Sequence, residues 1–206
     1  MTSVPAQIFD ALCGWLAARG TSCFEMLGFV TGVLNVWLVT RQRLASWPVG
    51  IVNAAAYMVV FARAGLYSDT GLQGVYLLLS VYGWWHWWRG KPDRSPLRVT
   101  RVPRTSLLPL ALILIAIWVA LALITTRIPG AALPWVDALL VAGSLVAQWM
   151  MTRKLLECWL LWIIVDAAYV QLFLVRGLHL TAALYLLFFL LAITGWRAWK
   201  HSMSPA

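Results

Sequence analysis

Apolar residues along the chain gather into seven runs with few charges, at about 24–40, 47–63, 70–88, 106–126, 133–151, 158–175 and 180–199. Each is close to the ~20 apolar residues that an α-helix needs to cross the hydrocarbon core of a bilayer, so each predicts a transmembrane helix. Short polar segments punctuate the runs: Arg41-Gln42-Arg43, Gly65, the stretch from Lys91 to Arg104, Arg127 to Gly130, Arg153-Lys154 and Arg176-Gly177. Ahead of the first run, Ile8, Leu12, Trp15 and Leu16 recur at helical spacing. That spacing predicts a short helix lying in the membrane interface, with Trp15 at headgroup level. Residues 1–20 hold Asp10 and a single basic residue, Arg19, and so lack the cationic start of a cleavable signal.

The pattern also repeats. A shift of 112 positions, without a gap over about fifty residues, pairs Trp37 with Trp149, Thr40 with Thr152, Arg41 with Arg153 and Trp47 with Trp159. It continues through Tyr57/Tyr169, Phe61/Phe173, Gly65/Gly177, Gly83/Gly195, Trp84/Trp196 and Trp87/Trp199. Leucine and alanine matches between apolar helices mean little, whereas matched Trp, Tyr, Arg and Gly are hard to obtain from composition alone. Each repeat holds three helices, and three crossings leave the chain on the wrong side to start the same unit again. The run at 106–126 returns it, so the repeats are expected to run parallel. The expected architecture is an all-α integral membrane bundle of seven transmembrane helices in a 3+1+3 parallel-repeat arrangement. Its parts are a 1–23 interfacial segment, a 24–90 three-helix repeat, a 91–130 basic cytoplasmic loop and linker helix, a 131–200 second repeat and a 201–206 tail. In folds of this class the substrate site lies at the repeat interface near mid-membrane.

Composition agrees: 62% of the 206 residues are hydrophobic, 11% are charged and the mean hydropathy is +0.80. A soluble domain carries about a quarter charged residues, so this chain could not cover a water-facing surface. The net charge of +9 does not point to nucleic acid, because the basic residues sit between the apolar runs rather than on a soluble face. Twelve of the 16 Lys and Arg fall on the side of the C-terminus, at Arg41, Arg43, 89–104, Arg153, Lys154, Arg197 and Lys200. Only Arg19, Arg63, Arg127 and Arg176 fall on the other. The positive-inside rule therefore expects the C-terminus in the cytoplasm and the N-terminus outside. Cys13, Cys23 and Cys158 match no metal spacing and read as small apolar filler; a Cys13–Cys23 pair is conceivable, but nothing in the sequence argues for it.

Candidate chemistry lies on helix faces. In the sixth run Trp159, Trp162, Asp166, Tyr169 and Phe173 fall within about one quadrant, and Trp47, Gly50, Ala54, Tyr57 and Phe61 do so in the second, with Asn53 at the edge. Gln73, Tyr76, Ser80 and Trp87 align in the third run, and Asp137, Ser144 and Gln148 in the fifth. Thr31 and Asn35 give the first run a polar stripe, and Tyr185 gives one to the seventh. Asp166 is the most informative residue, because an ionised carboxylate at mid-span costs several kcal/mol unless paired or hydrated. No basic residue lies within a helical turn of it. It reads as the counter-charge for a cationic ligand flanked by aromatic rings, against a structural Asp that bridges helices through Ser, Tyr or water. Trp47 and Trp159 fit a ligand site or the interfacial belt equally; Trp162, one turn deeper, fits the site. Trp84, Trp85, Trp87, Trp88, Trp196 and Trp199 read as belt. Asn53 and Gln73 serve interhelical hydrogen bonds or a substrate with a carboxamide and hydroxyls. Glu157 reads as a solvated loop carboxylate beside Arg153 and Lys154, and Asp69 as an external-mouth or capping residue. No catalytic constellation, metal pattern or nucleotide-binding loop with its lysine appears among these residues, so neither an enzyme, a cofactor nor an ATP-driven pump is expected.

The segments Trp47-Pro48-Val49-Gly50-Ile51-Val52-Asn53, Leu66 to Gln73, Tyr82-Gly83-Trp84, Glu157 to Trp162 with Asp166, and Gly195-Trp196 resemble the PnuC family of bacterial vitamin transporters over about residues 24–200. The WxxWxxx(N/D) pattern at 159–166 is the most specific part. The resemblance implies a fold related in architecture to SWEET transporters and a place in the bacterial inner membrane. It further implies facilitated diffusion of nicotinamide riboside with trapping by a cytosolic kinase. It places Trp47, Asn53, Gln73, Trp159, Trp162, Asp166 and Tyr185 at the site, and it implies a homo-oligomer. Tyr57, Tyr76, Gln148 and Tyr169 join the candidate substrate-binding set from the helix faces. One departure matters: nicotinamide riboside members usually carry Asn where Asp166 stands. Relatives take thiamine or riboflavin, and a carboxylate suits the cations nicotinamide riboside and thiamine better than neutral riboflavin. Proton-coupled uptake and a substrate-binding subunit that docks a motor are the rival readings.

Overall fold

A computed structural model describes residues 23–63, 67–90, 95, 97–127, 133–175 and 179–203. The expected interfacial helix ahead of Cys23 lies outside the described residues. Among the described residues seven helices follow in order: α1 (Cys23–Thr40), α2 (Ser46–Arg63), α3 (Tyr67–Arg89), α4 (Arg104–Thr125), α5 (Pro134–Thr152), α6 (Cys158–Val175) and α7 (His179–His201). Every boundary falls within three residues of its apolar run, because the punctuating Arg, Gly and Pro residues stop helices where they stop hydrophobicity. Five of the seven, α1, α4, α5, α6 and α7, are long and apolar enough to cross a membrane by length and composition. α2 and α3, expected among the seven spans, fall short of that hydropathy. Both carry polar groups along the faces they turn inward, Asn53 in α2 and Asp69, Gln73 and Ser80 in α3, which lowers their hydropathy without shortening them.

Helix contacts run α1–α2–α3–α5–α6–α7 and close with α7 against α1, a ring of six helices. Among the described residues α4 touches α5 alone, pinned where the Trp118 indole N–H donates to the Trp135 carbonyl at 2.9 Å and the two rings meet edge to face. Leu107, Leu108, Leu112, Ile113 and Ile124 on the rest of α4 are exposed, as suits a helix facing lipid.

Positions 112 apart make matching contacts. α1 ends where Thr40 Oγ1 donates to the Trp37 carbonyl at 2.7 Å, and α5 where Thr152 Oγ1 donates to Trp149 at 2.7 Å. The next turn puts Gln42 and Lys154 at φ 53°, a left-handed conformation rare outside glycine. Trp47 packs edge to face on Trp87, with ring centroids 5.2 Å apart, and Trp159 on Trp199 at 5.4 Å. Trp47 fills the gap left by Gly83, and Trp159 the gap left by Gly195. The buried hydrophobic core therefore sits at one end of the bundle, around Val39, Trp47, Trp87, Met151, Leu156, Trp159 and Trp199. Trp87 and Trp199, expected in the interfacial belt, are buried there, whereas Trp84, Trp85 and Trp88 are exposed.

The segment after α3 closes this end. Thr100 bridges to the α5–α6 turn, its N–H donating to the Lys154 carbonyl at 3.1 Å and its carbonyl accepting from Leu156 at 2.9 Å. Glu157, expected to be a solvated carboxylate, accepts the Val102 backbone N–H on Oε2 at 2.9 Å instead.

Candidate functional site

The ring of helices encloses a cavity of about 600 Å³. Small residues make the room and at the same time seat the polar side chains. A Cβ at Gly28 would stand 2.8 Å from the Tyr57 ring and one at Gly32 would stand 3.2 Å from the Asn53 amide, so α2 approaches α1 only because both are glycine. At Gly50 a Cβ would only reach ordinary contact with the Asn35 amide, 3.4 Å away. Asn53 Nδ2 donates to the Gly28 carbonyl at 2.6 Å and to Thr31 Oγ1 at 3.3 Å, which ties α2 to α1 and leaves the amide oxygen as the acceptor it can offer.

Ten of the eleven candidate residues line the cavity: Asn53, Tyr57, Gln73, Tyr76, Gln148, Trp159, Trp162, Asp166, Tyr169 and Tyr185. Trp47 does not. It is 2% exposed and wedged between Gly83 and Trp87, and helical periodicity could not reveal that α3 had cleared a place for it. The lining also includes Asn35, Ser80, Asp69, Asp137, Phe188 and Ser144, which were not among the eleven. The signal for most of them was a shared helix face: Asp137, Ser144 and Gln148 follow a helical spacing, as do Gln73, Tyr76 and Ser80. No residue of α4 lines the cavity.

The two halves of the cavity differ in chemistry. Where α2 has Gly50 and Ala54, α6 has Trp162 and Asp166 at the positions 112 further on. Tyr169, Phe173, Tyr185 and Phe188 form a continuous aromatic wall, with Tyr169 and Tyr185 centroids 4.8 Å apart and Phe173 and Tyr185 5.2 Å apart. Tyr57 stacked on Phe61 faces it from α2. Asp166 is 3% exposed, with Tyr76, Tyr169 and Tyr185 close enough to feel its charge. Among the described residues it has neither a hydrogen bond nor an ion pair, and no Lys, Arg or His lines the cavity. The three charged groups that do line it, Asp69, Asp137 and Asp166, are all carboxylates. Such a lining favours a cation, both through the carboxylates and through the negative faces of the rings.

Asp69 and Asp137 stand at the N-terminal ends of α3 and α5, and Val39, Met151 and Trp159 at the opposite end of the cavity. The model for the nicotinamide mononucleotide transporter family matches residues 22–201, nearly the whole chain. The chain belongs to this family. Curated relatives in it are named as transporters. The nicotinamide riboside transporter PnuC of Escherichia coli is 25% identical over 88% of this chain and 86% of its own length. The riboflavin/roseoflavin transporter RibM of Streptomyces davaonensis is 28% identical over 85% of this chain and 83% of its own. A crystal structure of the vitamin B3 transporter PnuC superposes with a TM-score of 0.71, covering 98% of this chain and 92% of that one at 21% identity, which establishes the shared fold. The resemblance drawn from the Trp47–Asn53 and Trp159–Asp166 motifs is thus a family relationship, and this member of the nicotinamide mononucleotide transporter family is a multi-pass membrane protein.

Proposed function

We propose that the protein carries a cationic, vitamin-like nucleoside, nicotinamide riboside, into the cell by facilitated diffusion, with Asp166 as the counter-charge. The observation that carries this reading is the unpartnered, buried carboxylate in an aromatic cavity without a basic residue. A fixed cation some 5 Å from it would gain about 3 kcal/mol at an effective dielectric constant near 20, before desolvation is charged against it. The amides of Asn35, Asn53, Gln73 and Gln148 supply partners for hydroxyls and a carboxamide. The names of the PnuC relatives favour nicotinamide riboside; thiamine, also a fixed cation, would use the same carboxylate. The RibM relative takes riboflavin by its name, but a neutral ring system gains nothing from Asp166.

In this reading the helices form a 3+1+3 bundle of two parallel repeats, 24–90 and 131–200, that expose the cavity to either side in turn, as in SWEET-like architectures. All seven helices then span the bacterial inner membrane, with the N-terminus outside and the C-terminus in the cytoplasm. Cys23, at the N-terminal end of α1, is disulfide-bonded, in keeping with an oxidising exterior. A passive carrier cannot concentrate its substrate, so a cytosolic kinase would complete uptake: a phosphate makes the product anionic, and a cavity lined by carboxylates disfavours its return. The homo-oligomeric state rests on the family resemblance alone.

Equilibrium binding to the detergent-purified protein, read by tryptophan quenching, tests the assignment. Nicotinamide riboside is expected to bind, and Asp166→Asn to weaken it about tenfold or more, the equivalent of ~1.4 kcal/mol. Riboflavin binding, if any, should be indifferent to the substitution. Equal affinity of wild type and Asp166→Asn for the cation would remove the counter-charge role.

A further inference from the structure

Trp159 lines one end of the cavity, and behind it four tryptophans pack together. Trp47, Trp87, Trp199 and Trp159 form one chain of ring contacts, with centroid separations of 5.2, 6.0 and 5.4 Å in that order. All four are buried. The two inner members lie 112 positions apart, and each borrows an acceptor from the opposite half of the molecule. The Trp87 indole N–H donates to the carbonyls of Met151 and Thr152 at 3.3 and 3.1 Å, at the end of α5. The Trp199 indole N–H donates to the carbonyl of Val39 at 3.0 Å, at the end of α1. Val39 and Met151 are also 112 apart, and both line the closed end of the cavity. α3 is therefore latched to α5 and α7 to α1, at the two seams where the helical halves meet.

Lys154 lies over the outer face of this arrangement. Its Nζ stands 4.3 Å from the Trp87 ring centroid and donates to Gln42 Oε1 at 3.2 Å, while Gln42 Nε2 donates to Ser202 Oγ at 2.9 Å. Gln42 and Lys154 occupy equivalent positions in the two halves, so this link also crosses the seam.

We infer that Trp87 and Trp199 are the gate residues of the cytoplasmic exit and that their two reciprocal hydrogen bonds open together. Moving either half away from the other withdraws a donor from one seam and an acceptor from the other, so neither latch can open while its counterpart stays shut. Phenylalanine at either position keeps a ring in the chain but removes the donor. The inference rests on the orientation and alternating access proposed above.

The test uses Ser80→Cys as a reporter, because Ser80 lines the cavity one turn from Gly83. Its labelling by a membrane-impermeant maleimide is followed in inside-out and right-side-out vesicles. Trp87→Phe and Trp199→Phe should each raise the rate from the cytoplasmic face about fivefold, as loss of one hydrogen bond would. The double variant should add little to either, because one open latch opens both. Trp88→Phe, an exposed ring outside the chain, should change nothing. Should a Phe variant fail to reach the membrane, Lys154→Gln carries the same expectation with a smaller rise. Unchanged labelling in the folded variants, or a rise of equal size from both faces, overturns the gate. A rise confined to the opposite face overturns the orientation on which it rests. Substrate binding by wild type, measured separately, decides the proposed function and is independent of these rates.

Discussion

Gly83 and Gly195 show what a single position does in this protein. A Cβ at Gly83 would stand 2.3 Å from the Trp47 ring, and one at Gly195 would stand 2.6 Å from Trp159. Neither ring can retreat, because Trp87 and Trp199 hold each from its other side. Alanine at either glycine should therefore cost about 1–3 kcal/mol through overpacking. Gly74, on the same helix as Gly83, has nothing within 4 Å of a Cβ, and alanine there should be neutral or stabilising by up to ~1 kcal/mol through helix propensity. Thermal melting in detergent reads all three; destabilisation by Gly74→Ala, or tolerance of Gly83→Ala, would contradict this packing. The repeat had marked both glycines and both tryptophans by their matched spacing, but not the reason for the match. Trp47 shared a helix face with Tyr57 just as Trp159 shared one with Asp166; periodicity left both between site and belt, and the family resemblance placed both at the site. Both rings fill glycine gaps on helices more than thirty residues away along the chain, and the cavity reaches Trp159 but not Trp47.

At the scale of elements, the connection between α3 and α4 acts as a strap across the α5–α6 turn. Val99 within it is buried, and Glu157 anchors it through the Val102 N–H. Glu157→Ala removes a hydrogen bond to a charged group, typically ~1.5–3 kcal/mol, and should open the strap locally. Tryptic cleavage at Arg98 or Arg101 should accelerate about tenfold, in inside-out vesicles alone if this end is cytoplasmic; an unchanged rate would show that Glu157 does not hold the strap. Lys154 lies in the same turn, 9% exposed, and burial holds its ammonium below the ordinary lysine value of 10.5. Below the lowered value both folded and unfolded chains are protonated, so the desolvation cost is carried in full. As pH rises from there toward 10.5, the folded state gives up its proton first and stability increases. Wild type should therefore gain on Lys154→Met as melts are taken from neutral pH upward, and a constant difference would refute the shift. None of this was visible in the sequence, where Glu157, Lys154 and Arg153 read as a solvated charged loop. Hydrophobicity locates the helices well, but it says nothing about which loop backbone will seek a carboxylate.

For the whole molecule, element order and helix limits were legible because lipid imposes one rule on every span: long apolar runs between polar stops. The polar faces were legible for the same reason, since a Gln, Asn or Asp in an apolar run has only the interior to turn to. That applies to Asn53, Gln73, Gln148 and Asp166, which line one cavity; the six aromatic candidates beside them came from shared helix faces and the family resemblance. What the sequence could not show was the division of labour between the ends. At one end the site candidates Trp47 and Trp159 pack with Trp87 and Trp199, which had read as belt, and three carboxylates line the rest. The central claim is that this cavity passes a cation downhill, and uptake into proteoliposomes holding the purified protein tests it most directly. With the membrane potential clamped at zero and no pH gradient, labelled nicotinamide riboside should enter until its concentrations inside and outside are equal. Uptake should stop there, and Asp166→Asn should slow it about tenfold at sub-saturating substrate. Entry only when a proton gradient or a motor protein is supplied, or accumulation beyond equality, would contradict a passive carrier.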